Sequence, residues 1–558
     1  MSRSVARLWI AVLALSFICL LALYSVVLGD GVMSLPVRAL YALADSMLLF
    51  LPAVFLRRRW IWLVLPWFVL LAALELCNVL YFRNFEDCIA SSSYFAAGNF
   101  NNFVVSAALS SLRPVDVVFL LSPLLLVLLL IKWSASYTRL SRRCVAGYVA
   151  ALAVLLVLQF ALSVRRVAIY GGMDTRHAVS AYFEKFKART DWKGYLMDYG
   201  FPGYLVRVSA DAFDRSHELT DADIAEIRNI MSRPVAPLEA ASDSAFHDNV
   251  GKNLVFIIVE SLNSKALRLP ESVLVAPNLM ALASDSTVLF FPELHTQTGH
   301  GRSSDGQFIY NTGLLPLRGE ALVARYADAA YPSLAGALAR PSVEIIGENK
   351  SLWSHAITTR SYGYDRLVDG VVPAATPVAA QDSMIFARAA SEIDSMPEPF
   401  FAQITTIGMH TPYDRPTGAA VVIPGDYEDT DRHYLEALHC FDSALGRFLG
   451  HLRRSGVYDR SVIVIVSDHE EKYPQLSPRF SERLIPAFIL NSGVAMRADT
   501  ARAYSQADVF PTILDVMGRG DADYRGLGES MVRPCPADSV PLHRKWAASE
   551  KIIRSRSL

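Results

Sequence analysis

Cysteine is scarce, charge is thin, and neither sign of charge dominates. The six cysteines, at 19, 77, 88, 144, 440 and 535 of 558 residues, have no regular spacing, which excludes a disulfide framework. Charged residues make up 19% of the chain and the net charge is −1, so there is no basic field to release counterions from nucleic acid. The thin charge is also unevenly placed: residues 1–165 hold only 19 of the 107 charged side chains. A hydrophobic content of 52% concentrated at one end excludes a single soluble domain.

The first 165 residues carry long apolar runs instead, at about 8–29, 35–56, 60–82, 115–133 and 144–163. Each is near the roughly 20 residues a helix needs to cross about 30 Å of hydrocarbon. Five transmembrane helices are therefore expected in a domain spanning 1–164. The first run is too long for a signal-peptide core and has no small-residue cleavage site. Arg3 and Arg7 precede the first run, Arg57, Arg58 and Arg59 follow the second, and Lys132, Arg139, Arg142 and Arg143 follow the fourth. The positive-inside rule puts these segments in the cytoplasm, and five crossings leave everything after about residue 164 outside. Arg38, Asp45 and Glu75 fall within runs, where ionisable groups pair or line a cavity. Arg38 and Asp45, seven apart on one helix face, read as a packing pair or as part of a headgroup path.

Residues 165–250 mix aromatic and basic side chains, as in AYFEKFKARTDWKGYLMDYG at 181–200, and predict an amphipathic connector and linker, either at the membrane surface or as an ordinary surface helix. From 251 to 535 the pattern alternates. Strands are expected at 253–260, 286–291, 399–407, 461–468 and 484–490, with helices near 275–284, 319–339, 381–394, 430–455 and 505–517. Continuous apolar strands between helices predict a mostly parallel sheet covered on both faces. Residues 536–558 read as a basic tail, more readily solvated than lipid-bound.

In such sheets ligands gather beyond the carboxyl ends of the strands. NLVFIIVE ends on Glu260 and SVIVIVSDHEE passes through Asp468 and His469. Two carboxylates and an imidazole at strand ends form a donor set for Mn²⁺ or Zn²⁺, although acidic residues after strands also serve as helix caps. Between them, QTGHGRSSDGQF at 297–308 is a turn able to bring the hydroxyl of Ser303 or Ser304 to a metal and backbone N–H groups to an anion.

The chain resembles the lipoteichoic acid synthase family, in the sulfatase-like branch of the alkaline phosphatase superfamily. The resemblance rests on VESLNS (259–264), HTQTGHGRSSDGQF (295–308), GENKSLWSH (347–355), SYGYDRLVD (361–369), GMHTPY (408–413), SDHEE (467–471) and SQADVFPTILDVMG (505–518), in that order. It implies a membrane-anchored α/β protein with an alkaline-phosphatase/sulfatase-like domain. It also implies one divalent ion, Mn²⁺ first with Zn²⁺ or Mg²⁺ as alternatives, held by Glu260, Asp468, His469 and the oxygen of Ser303. Ser303 stands where the family has a catalytic threonine. His410 is implied as a phosphoryl contact or acid/base, and Trp353 as a wall of the headgroup pocket. Ser354 and His355 replace the family's usual Asn–Arg, which puts headgroup recognition by His355 in question. Arg302 is a candidate for charge on the phosphoryl oxygens.

The implied activity is phosphoglycerol transfer from a membrane phospholipid, by default phosphatidylglycerol, through a Ser303 intermediate to an envelope glycan or glycolipid. The implied location is a bacterial cytoplasmic (inner) membrane, with the catalytic domain extracytoplasmic. A sulfatase would need Pro and Arg after its modified residue, and Ser304, Asp305, Gly306 and Gln307 follow Ser303. A phosphoethanolamine transferase would usually carry more outer cysteines. Hydrolysis, a second metal at Asp429 and His433, and a catalytically inactive membrane-anchored sensor are the remaining alternatives.

Overall fold

A computed structural model describes residues 3–556, apart from 30–31, 86–87, 90–110, 172–173, 188–191, 213–217, 232–239, 351, 374–375, 414–415, 472–474, 495–501, 521, 523 and 535–539. Two compact units, Met1–Asp214 and Arg215–Leu558, divide within the stretch expected to be a connector.

In the first unit, α1 (Arg3–Val27), α2 (Leu35–Leu49), α3 (Val64–Phe85), α4 (Val117–Trp133) and α5 (Arg142–Gly171) follow the five apolar runs. The expected count of five long spans is corrected to four among the described residues: Val5–Val27, Arg58–Arg83, Pro114–Ser136 and Arg142–Ile169. The short one is α2, with 15 residues, or roughly 22 Å at 1.5 Å per residue. Pro52 lacks the N–H that would continue it, and the chain tightens into a 3₁₀ turn at Pro52–Phe55.

The connector is also corrected. It forms α6 (Thr175–Lys187) and α7 (Trp192–Ala212), and Trp192, Tyr195, Leu196, Phe201 and Tyr204 join the core built by α1–α4 instead of lying on a surface. Burying so many aromatic rings between helices removes more apolar area than one exposed face can. Helix α7 bends at Gly200, where φ is +70°, and a Cβ there would lie 2.6 Å from Asp45 Oδ2. The next residue, Phe201, donates its N–H to that oxygen at 2.9 Å. The Tyr24 hydroxyl and, at 3.3 Å, Gln159 Nε2 also donate to Asp45. This buried carboxylate therefore ties α1, α2, α5 and α7 together.

The second unit begins with α8 (Asp221–Met231) and contains an eight-stranded sheet of order β4-β3-β5-β1-β6-β7-β2-β8. The strands are β1 (Asn253–Val259), β2 (Leu289–His295), β3 (Ser342–Ile346), β4 (Arg366–Val368), β5 (Phe401–Thr405), β6 (Ser461–Ser467), β7 (Leu484–Leu490) and β8 (Tyr504–Ser505). All neighbours pair in parallel except at β7, which is antiparallel to both β6 and β2. Leu254, Phe256 and Ile258 of β1 enter one core and Val255, Ile257 and Val259 the other. Burial on both faces explains an unbroken apolar run. The covering helices include α9 (Ser303–Thr312), α10 (His355–Ser361), α11 (Val378–Ile393), α12 (Asp429–Arg454) and α13 (Val509–Val516).

Two expectations fail here. Instead of a helix over 319–339 there are a 3₁₀ turn at Leu322–Ala324 and a short helix at Leu334–Leu338. Pro332 interrupts them, and the Ser333 side chain caps the second by accepting from Gly336 N at 3.2 Å. The basic tail becomes α14 (Leu542–Ser555), whose Ala548, Ile552 and Ile553 enter the core. Its Arg554 lies 3.3 Å from Glu320, and Lys551 lies 2.8 Å from Asp223 and 2.9 Å from Glu226. The positive charges hid a narrow apolar stripe at helical spacing.

Candidate metal and nucleophile site

The central parallel pair brings the first two candidate ligands together. Val259 of β1 is in register with Ser467 of β6, so Glu260 and Asp468 leave the sheet side by side. Asp468 N–H donates to Val259 O at 3.0 Å. Thr406, just past β5, bears the hydroxyl that accepts from Glu260 N–H at 3.1 Å. His469 follows directly, and its Nδ1 sits 2.9 Å from Glu470 O. Donation from Nδ1–H to that carbonyl turns Nε2 toward the carboxylates.

Ser303 arrives from the other side, at the first position of α9. Gly306 permits this approach, since a Cβ there would lie 2.3 Å from Asp468 O. Only a residue without a side chain lets this helix rest on the end of β6. Ser303 Oγ donates to Glu260 Oε2 at 3.1 Å and lies 3.2 Å from His469 Nε2. The start of α9 also presents a positive helix end to an anion. Ser304 is buried, and its hydroxyl donates to Gly301 O at 2.8 Å. The two serines that the sequence left open are thus distinguished.

Glu260, Asp468 and His469 are 4%, 0% and 3% exposed, and one ligand atom from each lies within 4.8 Å of the others. Burial pushes the Asp468 carboxyl up to about 7, helped by the Glu260 carboxylate. Burial would raise Glu260 as well, but the His410 and His469 imidazoles hold it below the ordinary carboxylate range. Desolvation lowers His469, yet Asp468 and Glu260 raise it to about 9. Two buried carboxylates therefore need a positive charge, which a protonated imidazole or a divalent cation supplies. Asp468 Oδ2 is buried without a hydrogen-bond partner. An orphaned carboxylate oxygen beside a carboxylate and an imidazole fits a metal ligand set. Among the described residues this is the only such cluster. His433 Nδ1 instead sits 2.9 Å from Tyr413 O, and Asp429 is exposed.

The other expected residues are placed differently. His410 lies near enough to Glu260 to depress its carboxyl; its Nδ1 is 2.5 Å from Thr411 O. Arg302, with φ +42°, pairs with Glu471 at 2.8 Å and reaches Glu470 O at 3.3 Å. Trp353 is half-buried with φ +48° and packs on the core. His355, expected at the headgroup, is 2% exposed. Its Nδ1 is 3.7 Å from Glu344 and its Nε2 3.5 Å from Glu348. The charge of this imidazole is committed to two glutamates, a correction to the expected headgroup contact.

Two supporting residues were missed. Asp305, in the first turn of α9, accepts the N–H groups of Gly299 and Gly301 at 2.9 Å each through Oδ2 and so shapes the turn before Ser303. An acidic residue three places into a helix behind a Gly-rich turn was the available signal. Gln506 donates to Asp468 O at 2.6 Å and accepts from Gln297 N at 2.6 Å; it lies in the SQADVFPTILDVMG stretch on which the resemblance rests, but the resemblance assigns it no role there.

Comparison with known proteins agrees along most of the chain. Residues 252–519 match the family model described as Sulfatase, and residues 4–174 match the one described as lipoteichoic acid synthase N-terminal domain. Lipoteichoic acid synthase 2 of Bacillus subtilis (strain 168) is 23% identical over 513 residues, covering 87% of this chain and 76% of that protein. Lipoteichoic acid synthase of Staphylococcus aureus (strain USA300) is 24% identical over 528 residues, covering 88% and 77%. Among solved structures, the lipoteichoic acid synthase LtaP from Listeria monocytogenes covers 60% of this chain and 97% of its own at 19% identity, with a TM-score of 0.47.

Proposed function

Because the chain belongs to the lipoteichoic acid synthase-like family of the sulfatase/alkaline phosphatase superfamily, we propose that it transfers a phosphoglycerol unit from a membrane phospholipid to an extracytoplasmic acceptor through Ser303. Phosphatidylglycerol is the donor this reading takes, and an envelope glycan or glycolipid the acceptor. The observation that carries it is the position of Ser303 Oγ, 3.1 Å from Glu260 and 3.2 Å from His469, at the amino end of a buried helix.

Ser303 Oγ, its proton already lost to solvent, attacks the phosphorus as the alkoxide, the bond to the diacylglycerol oxygen breaks, and the phosphoglycerol unit remains on the serine. His410 protonates the departing oxygen. It then accepts the proton of the acceptor hydroxyl, whose oxygen attacks the phosphorus and releases Ser303. The N–H groups at the start of α9 meet the charge that develops on the phosphoryl oxygens, and Arg302, braced by Glu471, adds a fixed cation next to the nucleophile. Trp353 borders the headgroup. Glu260, Asp468, His469 and Ser303 would hold a divalent cation, proposed as Mn²⁺, whose charge would stabilise the Ser303 alkoxide near neutral pH.

The catalytic unit works outside the cytoplasmic membrane in this reading. The test is intact mass and diacylglycerol release, using full-length protein with mixed phospholipids. The wild type should gain one glycerophosphate mass and release diacylglycerol, and Ser303→Ala should do neither. A phosphoethanolamine adduct, or release that survives Ser303→Ala, would refute the proposal.

A further inference from the structure

Ser261 lies one residue beyond Glu260 and is not itself a candidate ligand, yet all three of its polar groups are engaged at the metal and nucleophile site. Its hydroxyl donates to Glu260 Oε1 at 2.6 Å. Its backbone N–H donates to Asp468 Oδ1 at 2.9 Å. Its carbonyl accepts from the Tyr434 hydroxyl of α12 at 2.9 Å. The backbone is held at φ +56°, the left-handed region that a serine enters only at a cost, and the side chain is 1% exposed.

We infer that Ser261 is a positioning residue that clasps both carboxylates and selects which of their oxygens face the ion. The inference rests on the proposed metal-dependent function. With Oε1 occupied by the Ser261 hydroxyl, Glu260 turns Oε2 to Ser303. With Oδ1 occupied by the Ser261 N–H and, at 2.7 Å, the His469 N–H, Asp468 is left with Oδ2, the oxygen that has no hydrogen-bond partner. The left-handed turn makes this double contact feasible. It directs the N–H across to β6 while the side chain folds back on its own neighbour. An extended residue at 261 could not offer both donors to two carboxylates on adjacent strands. The Tyr434 hydroxyl, which also accepts from Asn263 N at 3.0 Å, fixes the turn from the helix side. Contacts of this kind orient ligands in metal sites, and their loss typically weakens metal binding by about 10–100-fold.

The experiment is titration calorimetry of Mn²⁺ into full-length wild type, Ser261→Gly and Ser261→Ala, each with a thermal melt. Glycine accepts φ +56° without strain and keeps the N–H contact to Asp468, so Ser261→Gly isolates the hydroxyl. Its Mn²⁺ Kd should rise about 10–100-fold with the melting temperature held or raised. Ser261→Ala should weaken binding equally and melt lower than Ser261→Gly, because its methyl side chain keeps the backbone strain that the serine already carries. A Kd for Ser261→Gly within twofold of wild type would overturn the positioning role while leaving the metal-dependent function standing. Wild type that does not bind Mn²⁺ would overturn both.

Discussion

Gly306 offers the sharpest test of how the nucleophile reaches the strand-end cluster. A methyl group there would meet Asp468 O at 2.3 Å, and the carbonyl carbon and Cα of the same residue at 2.9 and 3.0 Å. These are backbone atoms at the end of the central strand β6, and they cannot swing aside. Restoring an ordinary contact requires α9 to back away by about 1 Å. Overpacking of this kind costs about 1–3 kcal/mol. Without the clash, Gly→Ala within a helix would gain about 0.5–1 kcal/mol, so the sign of the stability change is itself diagnostic. Ser303 moves with α9, and a displacement of about 1 Å at a reacting atom costs about 10²-fold in rate. Gly306→Ala should therefore melt a few degrees lower and release diacylglycerol from a fluorescent phospholipid about 10²-fold more slowly. The loss in rate should exceed anything its fraction of unfolded protein explains. A variant at least as stable as wild type with wild-type turnover would refute the claim that this glycine sets the approach of Ser303.

Two further outcomes follow from groups outside the cluster. Burial lowers His355, but Glu344 and Glu348 raise it to about 10 from an ordinary 6.5. Its folded value exceeds its unfolded one, so its contribution to stability is complete below pH 6.5 and is lost as pH rises through about 10. Chemical denaturation across pH 6 to 10 should show wild type weakening by a few kcal/mol, with His355→Gln less stable at pH 6 and flatter above it; parallel slopes would refute the pairing. Ile553→Ala should cost about 2–5 kcal/mol as a thermal melt of the full chain, whereas a solvated tail would leave the melt unchanged.

The strand-end chemistry was legible because it is local. An unbroken apolar run such as 253–259 announces a strand buried on both faces, and the polar residue that ends it must lie at the sheet's edge. β3 was less visible, since Glu344 breaks its apolar pattern. That glutamate accepts from Gln403 Nε2 at 3.1 Å and from the Thr359 hydroxyl and lies beside His355, partners drawn from β5 and α10. A charged residue inside a strand signals a partner without naming it.

By itself, the amino-acid sequence determined the apolar character of the first 165 residues, the long apolar strands such as 253–259 and 461–467, and the presence of Glu260, Ser303, Asp468 and His469 at element ends, because side-chain periodicity acts within a few residues of chain. Tertiary structure alone decided that Pro52 leaves α2 too short to count among the long spans, that the aromatic connector and the basic tail are core, and that His355 is enclosed by glutamates. It also decided that Ser261 engages one oxygen of each carboxylate. Each of these depends on which distant segment supplies the neighbouring surface or hydrogen-bond partner, and burial and polar satisfaction are settled only when those segments meet.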